Sequence, residues 1–218
     1  MTRRAPKPAP SRRPAGRPES AGTNRPESEG TNRPESAGDD DLVRMQALAA
    51  FTRARLGTPS QSPFGSAVVE TATGRLVVRR LNAVRQENDP SSHAEVRTMR
   101  AACKRLGRPS LAGHTLYTTC EPCPMCMAMA LWAGVDRVVF GASIDDAARH
   151  CAQIHVPSVE LTRRSDMDCV VSGPVARAEC VALFEDPRMA AAMALWKKSR
   201  RNPPAGTPGP APRKPKGA

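Results

Sequence analysis

His114-Thr115-Leu116-Tyr117-Thr118-Thr119-Cys120-Glu121-Pro122-Cys123-Pro124-Met125-Cys126-Met127-Ala128-Met129-Ala130-Leu131-Trp132-Ala133 changes character midway. The part up to Thr119 reads as a strand. From Pro122 to Ala133 helix formers take over, with proline in the first turn, where a missing N–H costs nothing. The same alternation extends outward. Upstream, helical spacing runs from Ser92 to about Leu106 and stops near Gly107 and Pro109. Before it, Ser66–Glu70 and Arg75–Leu81 are strand-like and joined by a turn through Thr73-Gly74. Asp41 is placed to cap a helix whose apolar positions are Leu42, Met45, Leu48, Ala49 and Phe51. Downstream, Arg137–Gly141 and Met167–Val171 are strands, and Val175–Phe184 and Pro187–Ser199 are helices. Strands alternating with helices predict an α/β fold: a three-layer α/β/α sandwich around one mixed central sheet.

The ends differ from this middle. Arg17-Pro18-Glu19-Ser20 recurs at 25–28 and 33–36, a period of eight residues with almost no apolar side chains. Such a segment cannot bury enough surface to offset its ordering entropy. Residues 1–40 and 201–218 are therefore expected to be disordered, flanking one domain over 41–200. The formal net charge is +12, and residues 197–218 supply seven basic and no acidic side chains. A tail of this kind attracts polyanions without defining a specific nucleic-acid site.

Seven cysteines form no disulfide framework, and the Arg/Pro-rich start lacks the apolar stretch of a secretory signal. The run from Met125 to Val135 is far short of the roughly 18 residues of a membrane span. The reading is a soluble cytoplasmic protein with reduced thiols and no membrane partner. Reduced thiols favour metal ligation over cross-linking.

Cys123 and Cys126 stand three apart at a helix start, so both sulfurs face one side within a turn. A helix N-terminus favours anions and so favours both thiolates. His93 opens another helix and is the candidate third ligand. Three protein ligands leave tetrahedral zinc one open position for water, as a catalytic site needs and a structural one does not. Zinc lowers the pKa of bound water to about 7, giving a hydroxide nucleophile. Glu95, two residues past His93, is placed to carry the proton without ligating. Cys120 extends the run to C-x2-C-x2-C, but an iron–sulfur cluster needs a fourth thiolate near Cys126 and the next is Cys151. Cys120 then reads as a small residue ending a strand. Glu121 either braces the metal loop or touches substrate. His114, His150 and His155 read as surface or satisfied residues, and Trp132 as core.

His93-Ala94-Glu95 followed by Pro122-Cys123-Pro124-Met125-Cys126 is the H-x-E…P-C-x-x-C pattern of zinc deaminases. With Pro63-Phe64-Gly65, Asn82, Asn88-Asp89-Pro90 and Val138-Val139-Phe140-Gly141, the chain resembles the cytidine/deoxycytidylate deaminase superfamily. The resemblance runs from about Pro63 to Gly141 and more weakly to Phe184. It implies Zn2+ on His93, Cys123 and Cys126, with Glu95 as catalytic proton shuttle. It also implies that Asn82, eleven residues before the histidine, and backbone N–H groups at Ala94 and Cys123 hold the substrate. A homodimer follows by resemblance only.

The substrate reading divides. Pro63-Phe64-Gly65, Asn88-Asp89-Pro90 and Leu131-Trp132-Ala133 look like the guanine-deaminase branch, which favours a guanine or aminopurine base or nucleoside. That branch tends to end in an aromatic-rich segment, whereas this chain has a single tyrosine and an Ala/Arg/Pro-rich end. Val170-Val171-Ser172-Gly173-Pro174 and Glu179-Cys180-Val181-Ala182-Leu183-Phe184 look more like tRNA adenosine deaminases. RNA is then the alternative partner, with Arg188, Lys197, Lys198, Arg200 and Arg201 available to approach it. The remaining reading is a non-catalytic zinc module that binds nucleic acid, which would have no use for Glu95.

Overall fold

In the computed structural model, residues 35–57 and 62–189 are described. Five strands form one sheet: β1 (Gly65–Glu70), β2 (Leu76–Leu81), β3 (His114–Cys120), β4 (Arg137–Ala142) and β5 (Val170–Ser172). Their order is β2-β1-β3-β4-β5. β1 pairs antiparallel with β2 and β3, while β3–β4 and β4–β5 are parallel. The sheet is therefore mixed, as the alternation predicts. All seven residues of β3 are buried. A strand buried on both faces needs a layer on each side.

Those layers come from helices named in chain order: α1 (Glu35–Arg53), α2 (Val84–Glu87), α3 (Ala94–Leu106), α4 (Pro124–Trp132), α5 (Ile144–Ala148), α6 (Ser158–Arg163) and α7 (Arg177–Glu185). Successive strand residues point to opposite faces. Leu116 and Val138 accordingly pack with Met99 of α3 and Met127 of α4. Tyr117 and Val139, one step along, pack with Met45 of α1 and Leu183 of α7. Leu116 is fully buried at the centre. Truncating it to alanine is expected to cost about 2–5 kcal/mol.

Apart from α1, the long elements start and stop within a few residues of their expected places. β5 is shifted three residues downstream of the expected Met167 start. The helices α2, α5 and α6 were not expected, because four to six residues are too few to show a period. Of the expected helix Pro187–Ser199, residues 187–189 are helical and the rest lie outside the described residues. Most of the two tails expected to be disordered lie outside them too.

Asp41 is not a cap. α1 begins at Glu35, inside the stretch expected to be disordered, and carries Asp41 in its interior. Its carboxylate is 2% exposed and accepts the Tyr117 hydroxyl at 2.7 Å and two N–H groups of Arg137. Burial, and then this bond, push the Tyr117 hydroxyl up to about 12. A buried ion pair of this kind fixes the seat of α1 on the sheet rather than its start. Among the described residues no helix is long and apolar enough to cross a membrane.

Candidate metal centre and active site

β2 and β3 both pair antiparallel with β1 and so run the same way, which brings the N-termini of the helices that follow them, α3 and α4, to one end of the sheet. His93 is the N-cap of α3 and Cys123 the N-cap of α4, each with an extended backbone (ψ 155° and 165°). Cys126 lies one turn into α4 and is fully buried. The His93 Nδ1 atom is 3.7 Å from the Cys123 sulfur and 3.5 Å from that of Cys126, and the two sulfurs are 3.6 Å apart. Zinc–sulfur bonds of about 2.3 Å and zinc–nitrogen bonds of about 2.0–2.1 Å give tetrahedral edges of roughly 3.6–3.8 Å. The three atoms thus fit one face of a zinc tetrahedron. Among the described residues this is the group of donors close enough to hold a metal ion.

The thiols are prepared for a cation. The Cys123 sulfur is held down to about 4, chiefly by its hydrogen bond with Cys126 and against the cost of burial. That same bond pushes the Cys126 thiol upward, and binding a metal would favour the thiolate of both. Cys120 ends β3 as expected; it is buried, and burial raises its thiol.

Glu95 lies in the first turn of α3 and is 6% exposed. Burial pushes its carboxyl up to about 7, partly opposed by His93, and its side chain hydrogen-bonds with Cys126. A carboxyl balanced near neutrality beside a metal face is suited to taking and returning a proton. Ala94, as first residue of α3, has no intrahelical partner for its N–H. Asn82 ends just past β2, is 6% exposed, and its Oδ1 has no hydrogen-bond partner. An unpartnered buried oxygen is costly unless something else supplies a donor.

Backbone bonds hold these parts together. Asn82 N–H donates to Phe64 O at 3.1 Å, and Ala83 N–H to Ser92 O at 2.9 Å, next to His93. Gly65 N–H donates to the Thr119 hydroxyl, which itself donates to Pro63 O at 2.8 Å. Gly65 must be glycine, since a Cβ there would lie 2.1 Å from the Thr52 hydroxyl oxygen. The Pro63-Phe64-Gly65 segment is therefore a strut between the end of β3 and Asn82.

Glu121 braces the loop. It accepts the N–H of Ile144 at 3.1 Å and that of Ser158 at 2.9 Å, while the Ser158 hydroxyl donates to Pro122 O at 3.1 Å. Ser158 and Ile144 carried no sequence signal, because they act through backbone groups of short helices.

Two expectations are corrected. Trp132 is not core but 81% exposed. α4 buries Cys126, Met127, Ala130 and Leu131, so its last residue falls on the opposite side. His114 is neither on the surface nor fully satisfied: it is 4% exposed, Nδ1 lies 3.0 Å from Ala112 O, and Nε2 is unpartnered. It sits at the far end of β3 from Cys120.

Similarity to known proteins follows this geometry. The sequence pattern of the cytidine and deoxycytidylate deaminase zinc-binding region matches residues 38–142. The guanine deaminase of Bacillus subtilis (strain 168) is 44% identical over 86 residues, which is 39% of this chain and 54% of that protein. The chain thus spans about half the length of that relative. The tRNA-specific adenosine deaminase of the same organism is 33% identical over 141 residues, covering 65% of this chain and 83% of the relative. A solved guanine deaminase structure from Nitrosomonas europaea superposes with a TM-score of 0.62 at 24% identity, over 67% of this chain and 84% of that one, which shows the shared fold. With the zinc-fitting donors and the fold in agreement, the chain belongs to the family of the cytidine and deoxycytidylate deaminase zinc-binding region.

Proposed function

We propose that this chain hydrolyses the exocyclic amino group from an aminopurine, releasing ammonia. The observation that carries the reading is Glu95, buried beside a three-donor zinc face that leaves one corner open. Zinc held by His93, Cys123 and Cys126 would supply a water nucleophile at neutral pH. Glu95 takes the proton of that water, passes it to the ring nitrogen, and then delivers a proton to the leaving amine. A C–O bond forms at the amino-bearing carbon as the C–N bond breaks. Asn82 Oδ1 offers an acceptor for a ring N–H or amino group, and the Ala94 N–H offers a donor to the product oxygen.

Guanine-type substrates are supported by the guanine deaminase relative, 44% identical over 86 residues. Adenosine in tRNA is a second reading, supported by the relative that this chain covers at 83% of its length. The free thiols of all seven cysteines fit a reducing, cytoplasmic setting.

Ammonia release from guanine, adenine, cytosine, their nucleosides and tRNA tests the reading. Release from a purine substrate, abolished by chelation and restored by zinc, is the expected result. A zinc-loaded chain inert toward all of them would overturn it in favour of a non-catalytic zinc module.

A further inference from the structure

Asn82 and His93 stand at the two ends of a short connection, residues 82–93, which leaves the edge strand β2 and enters α3. One side chain reaches both ends. Arg97 lies one turn beyond His93, and its N–H donates to the His93 carbonyl at 3.0 Å, so the two share a helix face. Its Nη1 donates to the carbonyl of Leu81, the last residue of β2 and the neighbour of Asn82. Its Nε and Nη2 donate to Glu87 Oε1 at 3.0 and 2.8 Å. The other Glu87 oxygen accepts the hydroxyl of Ser92, the neighbour of His93. That bond is the main cause holding the Glu87 carboxyl below its ordinary value, and Arg97 adds to it. Asn82, Glu87 and Arg97 also share the wall of one cleft of ≈ 400 Å³.

We propose that Arg97 is a positioning residue for the reaction: it clamps both ends of the connection to α3 and so holds Asn82 and His93 in register with Glu95 on that helix. The connection has bonds of its own, but they close it on itself. Ala83 N–H donates to Ser92 O at 2.9 Å, Ser92 N–H to Asp89 O at 3.1 Å, and Ser91 N–H to the Asp89 carboxylate at 2.8 Å. Arg100 adds a looser tie from α3, 3.9 Å from Asp89. Of these contacts, those of Arg97 join the helix to the residue beside Asn82 and, through Glu87, to the residue beside His93. The plain alternative is a surface ion pair, which contributes little. Arg97 differs from one, because its side chain is 26% exposed and one of its nitrogens serves a backbone carbonyl. The Asn82 half of the proposal rests on the deaminase reading. The His93 half rests only on the zinc-fitting donors.

The test compares full-length wild type, Arg97→Met, Arg97→Lys, Glu87→Ala and the double variant Arg97→Met/Glu87→Ala. Zinc affinity is read by competition with a chromogenic chelator. KM and kcat are read at saturating zinc with guanine, guanosine and adenosine, and melting temperatures alongside. Arg97→Met is expected to weaken zinc about tenfold and to raise KM about tenfold. The change in kcat should be smaller, because Asn82 holds the base in ground and transition states alike. Lysine brings one nitrogen in place of three, so Arg97→Lys should recover at most one of the two losses. Arg97 reaches Ser92 only through Glu87, so the double variant should hold zinc no more weakly than Glu87→Ala does. Arg97→Lys and Glu87→Ala keep the test decisive if Arg97→Met does not fold. A melting shift with wild-type zinc affinity and KM in the folded Arg97 variants would overturn the proposal. So would recovery of both losses by lysine, or full additivity with Glu87→Ala. If wild type releases no ammonia from any of the three, the deaminase reading falls and the Asn82 half with it, while zinc affinity still decides the His93 half.

Discussion

The Glu121 carboxylate accepts the Ser158 N–H at 2.9 Å, and its second oxygen accepts the Ile144 N–H at 3.1 Å, so one side chain ties the loop before Cys123 to the starts of two helices. Replacing it leaves two backbone donors in need of partners. Glu121→Ala is expected to lower stability by about 1–3 kcal/mol. It should also weaken zinc retention about tenfold, as outer-sphere changes do. Denaturant midpoints and competition with a chromogenic chelator measure the two effects. An Ala variant with wild-type zinc affinity would show that the brace does not reach the metal face.

The metal face itself makes a stoichiometric prediction. Purified protein should carry about one zinc per chain, and His93→Ala, Cys123→Ser or Cys126→Ser should carry far less. Chelation should lower the melting temperature, because a ligand bound only to the folded state stabilises it by mass action. Elemental analysis and thermal scans with and without zinc check both. Full metal content in all three variants would rule out this donor set.

Glu95→Gln keeps the shape and removes the titrating oxygen. Zinc content and fold should persist while turnover falls by about 10²–10⁴-fold. Single-turnover rates with excess enzyme separate this from a change in affinity. Retained turnover would exclude the proton-transfer role.

Asn82 Oδ1 is buried and has no partner among the described residues, so Asn82→Ala removes no hydrogen bond that this oxygen makes there. The variant should melt near wild type while kcat/KM falls about 10- to 100-fold. A variant that unfolds yet keeps kcat/KM would assign Asn82 to structure instead.

Asp146 carries a pH prediction. It closes the capping box of α5, whose N-cap is Ser143, by accepting the N–H and hydroxyl of Ser143 at 3.1 and 3.0 Å, and it accepts Arg177 Nε of α7 at 2.9 Å. The Arg177 bond is the main cause that lowers its carboxyl below the ordinary 3.8. A depressed carboxyl contributes stability above its unfolded value and loses it as pH falls through the folded one. Asp146→Asn should therefore cost stability at pH 7, about 1–2 kcal/mol for the cap alone. The gap from wild type should close only below pH 3.8. Urea midpoints across pH 7 to 2 measure it; a gap already closed at pH 5 would contradict the assignment.

The zinc pair was legible because its logic is local: Cys123 and Cys126 sit within one turn, at a helix start marked by Pro124. The layered fold was legible because strands and helices longer than a few residues repeat their apolar positions. Everything decided across the chain was not. Asp41 reads as a cap in sequence, yet its partner Arg137 is 96 residues away and appears only once α1 lies on the sheet. Trp132 reads as core, yet the packing of α4 turns it outward. Sequence by itself determined the donor types, their spacing and the periodicity of the elements, since these depend on neighbours along the backbone. Tertiary structure decided which donors meet, which charges are buried and which faces stay open, because those depend on strand order and on which surface each helix covers.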